Sequence, residues 1–500
     1  MTDRRKKVVI IGGGITGLSA AYYLQKKIKD HQLPIDLQLI EATHRLGGKI
    51  QTVKRDGYLF EKGPDSFLAR KLAATKLAKE VGLGRELVGN EKGKSYILVK
   101  DTPHALPDGA VMGIPTKLSP FITTGLFSPV GKLRAAADFF IPKTKNQDDR
   151  SLGVFFRRRF GDEVVENLIE PLLSGIYAGD VDRLSLRSTF PQFLHAEHKY
   201  RSLIVGMKKL KEIHPQHGDD SEFKKNSVFL TLKEGLQSLV DGVEKAIDPD
   251  IITKGIKVEK IYKEDTAYEL SLNSGKVIKA DSVIVTSPHA AAQSMLSEYK
   301  IFEPLKHMPS TSVATVVIAF AQEALQDNLD AMNIAVSRNS DYTITACTWL
   351  NKKWPHAVPE GKVLLRCLVG RTGDEAVVDQ PDDEIFKIVL EDLKKLITIS
   401  AEPEFYAVTR WKQSMPQYTV GHHDMLDTMN EQLEKELAGL YVAGSSYEGL
   451  GIPECVEQGE DVAKKWLNMC SNCRSGAVNQ CSAFCLLPVE KGYTKRRDCG

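Results

Sequence analysis

After a charged lead-in, residues 7–11 form a short β-branched run that reads as a strand. Over 15–29 the apolar positions Leu18, Ala21, Tyr22 and Leu24 fit a helix, and Leu37–Ile40 makes the next strand, ending at Glu41. These pieces predict a compact strand–helix–strand unit. A second helix is predicted over 72–81, with Gly82 as its C-cap signal. Residues 107–150 are rich in Pro, Gly, Ser and Thr and read as loops and short helices, whereas 151–177 reads as one helix with Ser151 as N-cap. Strands are predicted at 228–231, 257–262, 268–272, 282–286, 311–320 and 362–369. An amphipathic helix follows at 383–397, then a strand at 440–444 that ends in glycine, and a final helix at 454–467. Strand-and-helix pieces like those at the start return in the middle and at the end. That pattern predicts one domain assembled from separated segments, with another inserted.

A chain of 500 residues exceeds one ordinary core, so two or three domains are expected. Hydrophobic residues make up 42% and charged residues 26%, a globular profile, and no run approaches the ~18 apolar residues of a bilayer span. Lys and Arg total 67 against 65 Asp and Glu, and the net charge of +2 argues against a general nucleic-acid partner while leaving room for a local basic pocket. The basic stretch 195–217 reads as a solvated face, with weak contact to membrane headgroups or substrate as the minority reading. Arg4-Arg5-Lys6-Lys7 before an apolar run imitates a secretory signal, but Gly12-Gly13-Gly14 breaks the run and no small-residue cleavage site follows. The expected location is therefore the cytoplasm, with its cysteines reduced. Cys470, Cys473, Cys481, Cys485 and Cys499 crowd the end of the chain, but the loop between Cys473 and Cys481 is short for zinc, so no metal is assigned.

Gly12-Gly13-Gly14-Ile15-Thr16-Gly17 follows the first strand and opens the first helix. Gly12 permits the tight turn, Gly14 lets a pyrophosphate approach the backbone, and Gly17 lets the helix pack against the strand. The helix N-terminus attracts the anion, and a carboxylate at Glu41 accepts from a ribose diol. The next segment, Glu41-Ala42 followed by Arg45-Leu46-Gly47-Gly48-Lys49 and then Glu61-Lys62-Gly63-Pro64-Asp65-Ser66, separates FAD from NAD. Its paired glycines let the chain run along a longer dinucleotide, which a bare NAD domain does not need.

At this point the sequence resembles the flavin amine oxidase superfamily. Tyr441-Val442-Ala443-Gly444 followed by Gly449-Leu450-Gly451-Ile452-Pro453-Glu454 and Val456 is similar to that group's closing motif. Within the superfamily, Glu170-Pro171-Leu172-Leu173-Ser174-Gly175-Ile176-Tyr177-Ala178-Gly179, Thr286-Ser287-Pro288 and Arg410-Trp411 resemble the protoporphyrinogen/coproporphyrinogen oxidase family, most of all its soluble Gram-positive branch. The resemblance spans about residues 5–467. It implies an α/β fold: a discontinuous Rossmann-type FAD-binding domain over 1–100, 225–300 and 405–467, a largely helical subdomain at 101–224, and an inserted α+β substrate-binding sheet domain at 301–404. Residues 468–500 stay unassigned. The implied cofactor is non-covalent FAD, since the closing segment lacks a cysteine where some relatives attach flavin. Its implied contacts are Gly12, Gly13, Gly14, Ile15, Thr16, Gly17, Glu41, Ala42, Arg45, Gly48, Lys49, Gly63, Pro64, Asp65, Ser66, Val258, Trp411, Gly444, Gly451, Ile452, Pro453 and Val456.

The implied reaction takes a porphyrinogen to a porphyrin in haem synthesis, with molecular oxygen returning the flavin after each of three two-electron steps and yielding peroxide. Flavin carries the chemistry, so no catalytic side chain is assigned. His195 and His289 read as structural. The propionates of the substrate call for Lys71 or Arg70, which a solvated helix start explains equally well, and Ile176 and Tyr177 are candidates for macrocycle contact against a core-packing alternative. The resemblance further implies transient contact with other haem-pathway enzymes. Coproporphyrinogen is the expected substrate, protoporphyrinogen the alternative. An amine oxidase is a weaker reading, because Gly449-Leu450-Gly451 offers no aromatic cage.

Overall fold

The protein is described here from a computed structural model, covering residues 5–107, 110–111, 114–115, 118–144, 148–213, 227–326 and 330–474. Its first layer is a five-stranded parallel sheet in the order 252–254, 35–41, 6–11, 282–285, 440–442. Four of these strands come from places far apart in sequence, so the unit closes only when the whole chain has folded. Val8, Val9, Ile10, Leu39, Val283, Ile284 and Val285 are almost fully buried, as a parallel sheet covered on both faces requires. The helix Ile15–Asp30 packs on one face with the final helix, Ile452–Arg474.

The second layer is a seven-stranded sheet in the order 405–416, 310–321, 362–369, 344–349, 331–336, 94–99, 102–105. The helix Asp382–Leu396 covers it through Ile385, Val389 and Leu393. Three of its strands differ from the sequence-derived boundaries, one of them 102–105, which pairs with 94–99 although it falls in the segment expected to be helical. Residues 94–99 and 405–416 were placed with the nucleotide-binding segments, yet 94–99 pairs in parallel with 331–336, and 405–416 pairs with 310–321. Hydrogen-bonded pairing, which local pattern does not reveal, decides their membership.

Helices between residues 118 and 213 form a third, helical unit. Ser151 caps its helix as expected, its hydroxyl accepting from the Val154 N–H at 3.2 Å. Residues 151–177 nevertheless do not form one helix. Gly161 adopts φ +87° and ends Leu152–Phe160, after which a short turn and a wider helical turn at Val165–Ile169 lead into Glu170–Tyr177. A left-handed glycine terminates a helix without the steric penalty of a Cβ. The predicted final helix extends on both sides, and the cysteine tail beyond residue 474 lies outside the described residues. Among the described residues no helix is long and apolar enough to cross a membrane.

The helical unit is pinned by a fully buried ionic triad. Arg159 bonds Glu197 through Nε at 3.1 Å and Asp138 through Nη1 at 3.3 Å, and all three side chains are inaccessible to solvent. Asp138 also accepts from the Ser202 hydroxyl at 2.6 Å and the Ile204 N–H at 3.1 Å. Removing one member of such a set leaves uncompensated buried charge. Arg159→Met should therefore destabilise the helical unit by about 3–5 kcal/mol. Thermal unfolding and limited proteolysis check this, and a variant as resistant as wild type would contradict it.

Candidate active site

The site is built where strands of the parallel sheet end and two helices begin. Gly12 turns the chain at φ +109°, its N–H donating to the Ile40 carbonyl at 2.9 Å. The Thr286 hydroxyl, at the end of a neighbouring strand, lies 3.0 Å from the carbonyls of Ile11 and Gly12. A Cβ on Gly17 would collide with the Gly12 carbonyl, so the helix could not start so close to the strand. Gly14 differs: a Cβ there would meet nothing within 4 Å, so the protein itself does not require this glycine. The helix begins without a side-chain cap and without an acidic residue in its first turn. Its free N–H groups and positive dipole end face that opening, which suits a phosphate group.

Glu41 ends the second strand. One carboxylate oxygen accepts from the Gly13 N–H at 2.6 Å, the other from the Thr43 N–H and hydroxyl at 2.8 Å. Gly255 and Ile256 return to this corner by N–H bonds to the Thr43 and Glu41 carbonyls at 2.9 and 3.1 Å, and Val258 follows, buried, while Ala42 is exposed. The Arg45 guanidinium staples the glycine loop, donating to the carbonyls of Leu46 at 2.8 Å, Ile50 at 2.7 Å and Gly48. Gly48, at φ +58°, comes within 3.4 Å of Gly14 when given a Cβ, so the two glycine loops face each other. Lys49 is partly buried and donates to the Ser414 carbonyl, and no carboxylate among the described residues pairs with it. Burial pushes its ammonium below the usual lysine range. A cation without a counter-charge beside two glycine loops and a bare helix N-terminus fits an anionic dinucleotide.

The next segment is held from the seven-stranded sheet. Asp65 accepts from the Lys353 ammonium at 2.7 Å, the Ser66 hydroxyl at 2.8 Å and the Trp354 indole at 3.4 Å. Burial would raise its carboxyl, but Lys353 and Arg366 hold it below the usual carboxylate range. Arg366 donates to the Gly63 carbonyl at 2.7 Å, and Trp411 donates to the Lys62 carbonyl at 2.8 Å while its ring lies against Gly63. Pro64 is partly buried between them. Asp65 is thus an anchor of the segment, and its partners lie some 290 positions away, beyond any local signal.

The closing segment supplies the second helix N-terminus. Gly444, at φ +124°, ends the last strand, and its N–H donates to Gln458 at 2.8 Å. Gly451 stands exposed before the final helix, which Ile452, Pro453 and Val456 bury against the first helix. Two buried histidines grip the intervening loop. His289 meets the Ser446 hydroxyl through its N–H at 3.0 Å and its ring Nδ1 at 3.2 Å, and His422 Nε2 lies 2.9 Å from the Tyr447 carbonyl. Burial lowers the pKa of both rings. Neither these contacts nor Tyr418, Gln458, Lys353 and Arg366 were assigned from sequence, because each is a long-range partner without a motif of its own.

On the other side, Ile176 is 49% exposed at the end of its helix, whereas Tyr177 is buried with its ring edge-on to Phe190 and Tyr418. The sequence paired these two as macrocycle contacts; the structure leaves Ile176 open and packs Tyr177 into the core. Lys71 forms an ion pair with Glu454 in the first turn of the final helix, and Arg70 beside it is exposed.

Comparison with known proteins agrees with this geometry. The family model described as flavin containing amine oxidoreductase matches residues 15–466. The coproporphyrinogen III oxidase of Bacillus subtilis (strain 168) is 56% identical over 92% of this chain and 97% of its own length. That of Staphylococcus aureus (strain NCTC 8325 / PS 47) is 42% identical over 92% and 98%. A crystal structure from Exiguobacterium sp. 255-15, provisionally named a protoporphyrinogen oxidase, superposes with a TM-score of 0.82 at 36% identity, covering 93% of this chain and 99% of that one.

Two outcomes follow from the geometry. Because Gly14 faces open space, Gly14→Val should fold normally and lose nearly all bound flavin. Flavin absorbance per protein after purification tests this, and normal content would remove Gly14 from the site. The second concerns Glu61, 3% exposed, whose carboxyl burial pushes up to about 7 although the Leu236 N–H and Thr52 hydroxyl favour its charge. Its folded pKa lies above the ordinary 4.5, so its contribution to stability is full below that value and is lost as pH rises through about 7. Glu61→Gln should therefore be more stable than wild type at pH 8, on the order of 1–3 kcal/mol, and nearly equal at pH 5. Thermal shifts at the two pH values provide the check, and a pH-independent difference would contradict the assignment.

Proposed function

The chain belongs to the family of flavin containing amine oxidoreductases, and on that premise we propose that it is an FAD-dependent oxidase converting coproporphyrinogen III to coproporphyrin III in haem synthesis, with oxygen reduced to peroxide. The observation that carries this reading is 56% identity to the Bacillus enzyme along nearly the whole of both chains. Bound FAD supplies the electron-accepting and oxygen-reducing chemistry. The side chains named here have the tasks of binding, orienting and excluding water.

In this reading the first helix N-terminus and Gly14 receive the pyrophosphate, Glu41 the adenosine ribose, and Val258 the adenine side. Lys49 and the final helix N-terminus place positive potential on an anionic ligand, while Arg45 and Asp65 hold the two loops in shape. Trp411 seals the Gly63 segment. Ile176 offers the exposed apolar surface for the macrocycle, with Tyr177 as packed support behind it. Lys71 meets a propionate by exchanging its partner Glu454, with Arg70 the alternative. Cytoplasmic location and transient contact with other haem-pathway enzymes belong to the same proposal. So does weak peripheral membrane contact, which Val130, Leu133 and Phe140, 76–82% exposed, support. Protoporphyrinogen IX is the second reading, favoured by the name of the Exiguobacterium relative.

Wild type should turn over coproporphyrinogen III faster than protoporphyrinogen IX, with three O2 consumed and three H2O2 formed per porphyrin. Porphyrin fluorescence beside an oxygen electrode measures both, and equal or better use of protoporphyrinogen would reverse the substrate assignment. Lys71→Ala should raise KM for coproporphyrinogen by roughly tenfold with little change in kcat or flavin content, because one charge-assisted contact remote from the reacting carbon is lost. Unchanged kinetics in this variant and in Arg70→Ala would move the propionate site elsewhere.

A further inference from the structure

Residues 417–422 leave the long strand Phe405–Pro416 and run between the helical unit and the closing cofactor loop, with bonds to both. On the helical side, Gln417, 4% exposed, donates through Nε2 to the Tyr177 carbonyl at 2.7 Å. The backbone continues the attachment: the Ser185 N–H donates to the Tyr418 carbonyl at 2.8 Å, the Val420 N–H to the Arg183 carbonyl at 3.1 Å, and Leu184 bridges Thr419. The Gly421 N–H donates to Asp149 at 2.9 Å. On the cofactor side, the Tyr418 hydroxyl donates to the Ser445 carbonyl at 2.6 Å and accepts from the Gly449 N–H at 3.0 Å. His422 stacks on the Tyr418 ring at 4.3 Å and reaches the Tyr447 carbonyl. Tyr418 is fully buried, and its ring also meets Tyr177 edge-on at 5.7 Å.

We propose that residues 417–422 are a positioning strap, in which the Tyr418 hydroxyl sets the loop 445–449 against the flavin and Gln417 sets the Ile176–Tyr177 wall of the substrate cavity. His289, His422 and Gln458 also bond this loop, at Ser446, Tyr447 and Glu448, and the Tyr418 hydroxyl ties its two ends, Ser445 and Gly449, to each other. The loop is an irregular segment between a three-residue strand and a helix, and one hydroxyl on a buried ring satisfies both a carbonyl and an N–H. Tyr177 contacts both Gln417 and Tyr418, so the residue facing the helical unit and the one facing the cofactor loop share one neighbour. This inference rests on the reading above for the flavin beside the loop 445–449 and for Ile176 and Tyr177 as substrate wall.

Tyr418→Phe keeps the ring contacts and deletes the hydroxyl, leaving the Ser445 carbonyl and the Gly449 N–H unpaired. Starting from holoenzyme, the variant should release FAD with a dissociation constant about tenfold higher and show an altered flavin midpoint potential, with its thermal unfolding in the apo form little changed. Gln417→Met should leave FAD affinity and potential at wild-type values and raise KM for porphyrinogen about threefold. Should Tyr418→Phe not fold, His422→Leu, which removes the Tyr447 contact, is read by the same two flavin measurements. Variants that change only the unfolding temperature, with affinity, potential and KM intact, would overturn the strap as a positioning device. If wild type turns over no porphyrinogen, the substrate reading fails, while the flavin measurements still decide the strap.

Discussion

A side chain at residue 17 or 459 would drive the first helix off both of its partners. The Gly17 Cβ position is filled by the Gly12 carbonyl, and that of Gly459 lies 2.5 Å from the Thr16 carbonyl. These two close approaches, one to the strand and one to the final helix, bring two helix N-termini to the same edge of the parallel sheet. Helix dipoles act within about one turn of their ends, so separation by even a few ångströms would dissolve the shared positive field. Gly12, Gly444 and Thr286 then close the turn around that point.

The site's remaining walls come from the other sheet and depend on ion pairs across it. Asp65 is tied to Lys353, at the end of the short helix Leu350–Lys353, and Gly63 to Arg366 on the strand 362–369, so the segment 61–66 takes its position from the inserted sheet and the helix beside it. A pair so little exposed gains in net stability only modestly, because desolvation offsets attraction. Its value lies in geometry: a slip of either sheet would strand the carboxylate. The 405–416 strand serves likewise, giving Trp411 to Lys62, the Ser414 carbonyl to Lys49 and the strap that follows to Tyr177.

Sequence disclosed those parts of the fold whose cause is local. The first strand and helix, the cap at Ser151 and the strand 362–369 depend on periodicity and on residues a few positions apart, and the structure places them within a residue or two. The break at Gly161 is not legible in sequence because a glycine in an apolar helical pattern looks the same whether it continues or ends the helix; only its φ of +87° distinguishes them. Strands 94–99 and 405–416 fall outside the domain that sequence assigns them for a related reason: their pairing partners lie about 240 and about 100 positions away. The same divide runs through the site. Gly12, Gly14, Gly17 and Glu41 stand out because backbone approach demands them at fixed spacing. Lys353, Arg366, Tyr418 and His422 carry no motif, and only three-dimensional contact reveals them.

Charge at the site is arranged locally and not by the protein as a whole. The net charge is only +2, so long-range attraction for an acidic ligand is weak. At short range the balance differs: two helix N-termini, Lys49 and Lys71 face Glu454 and a Glu41 whose oxygens already accept from Gly13 and Thr43. An incoming carboxylate has only to compete for Lys71, a partly exposed partner, whereas a phosphate meets donors with no competing acid in the first helical turn. The two anionic functions are therefore held with unequal strength. The cofactor end is preorganised and desolvated, which favours tight, permanent binding. In the proposed reading the outer end would trade one ion pair for another at Lys71, an exchange that costs little either way.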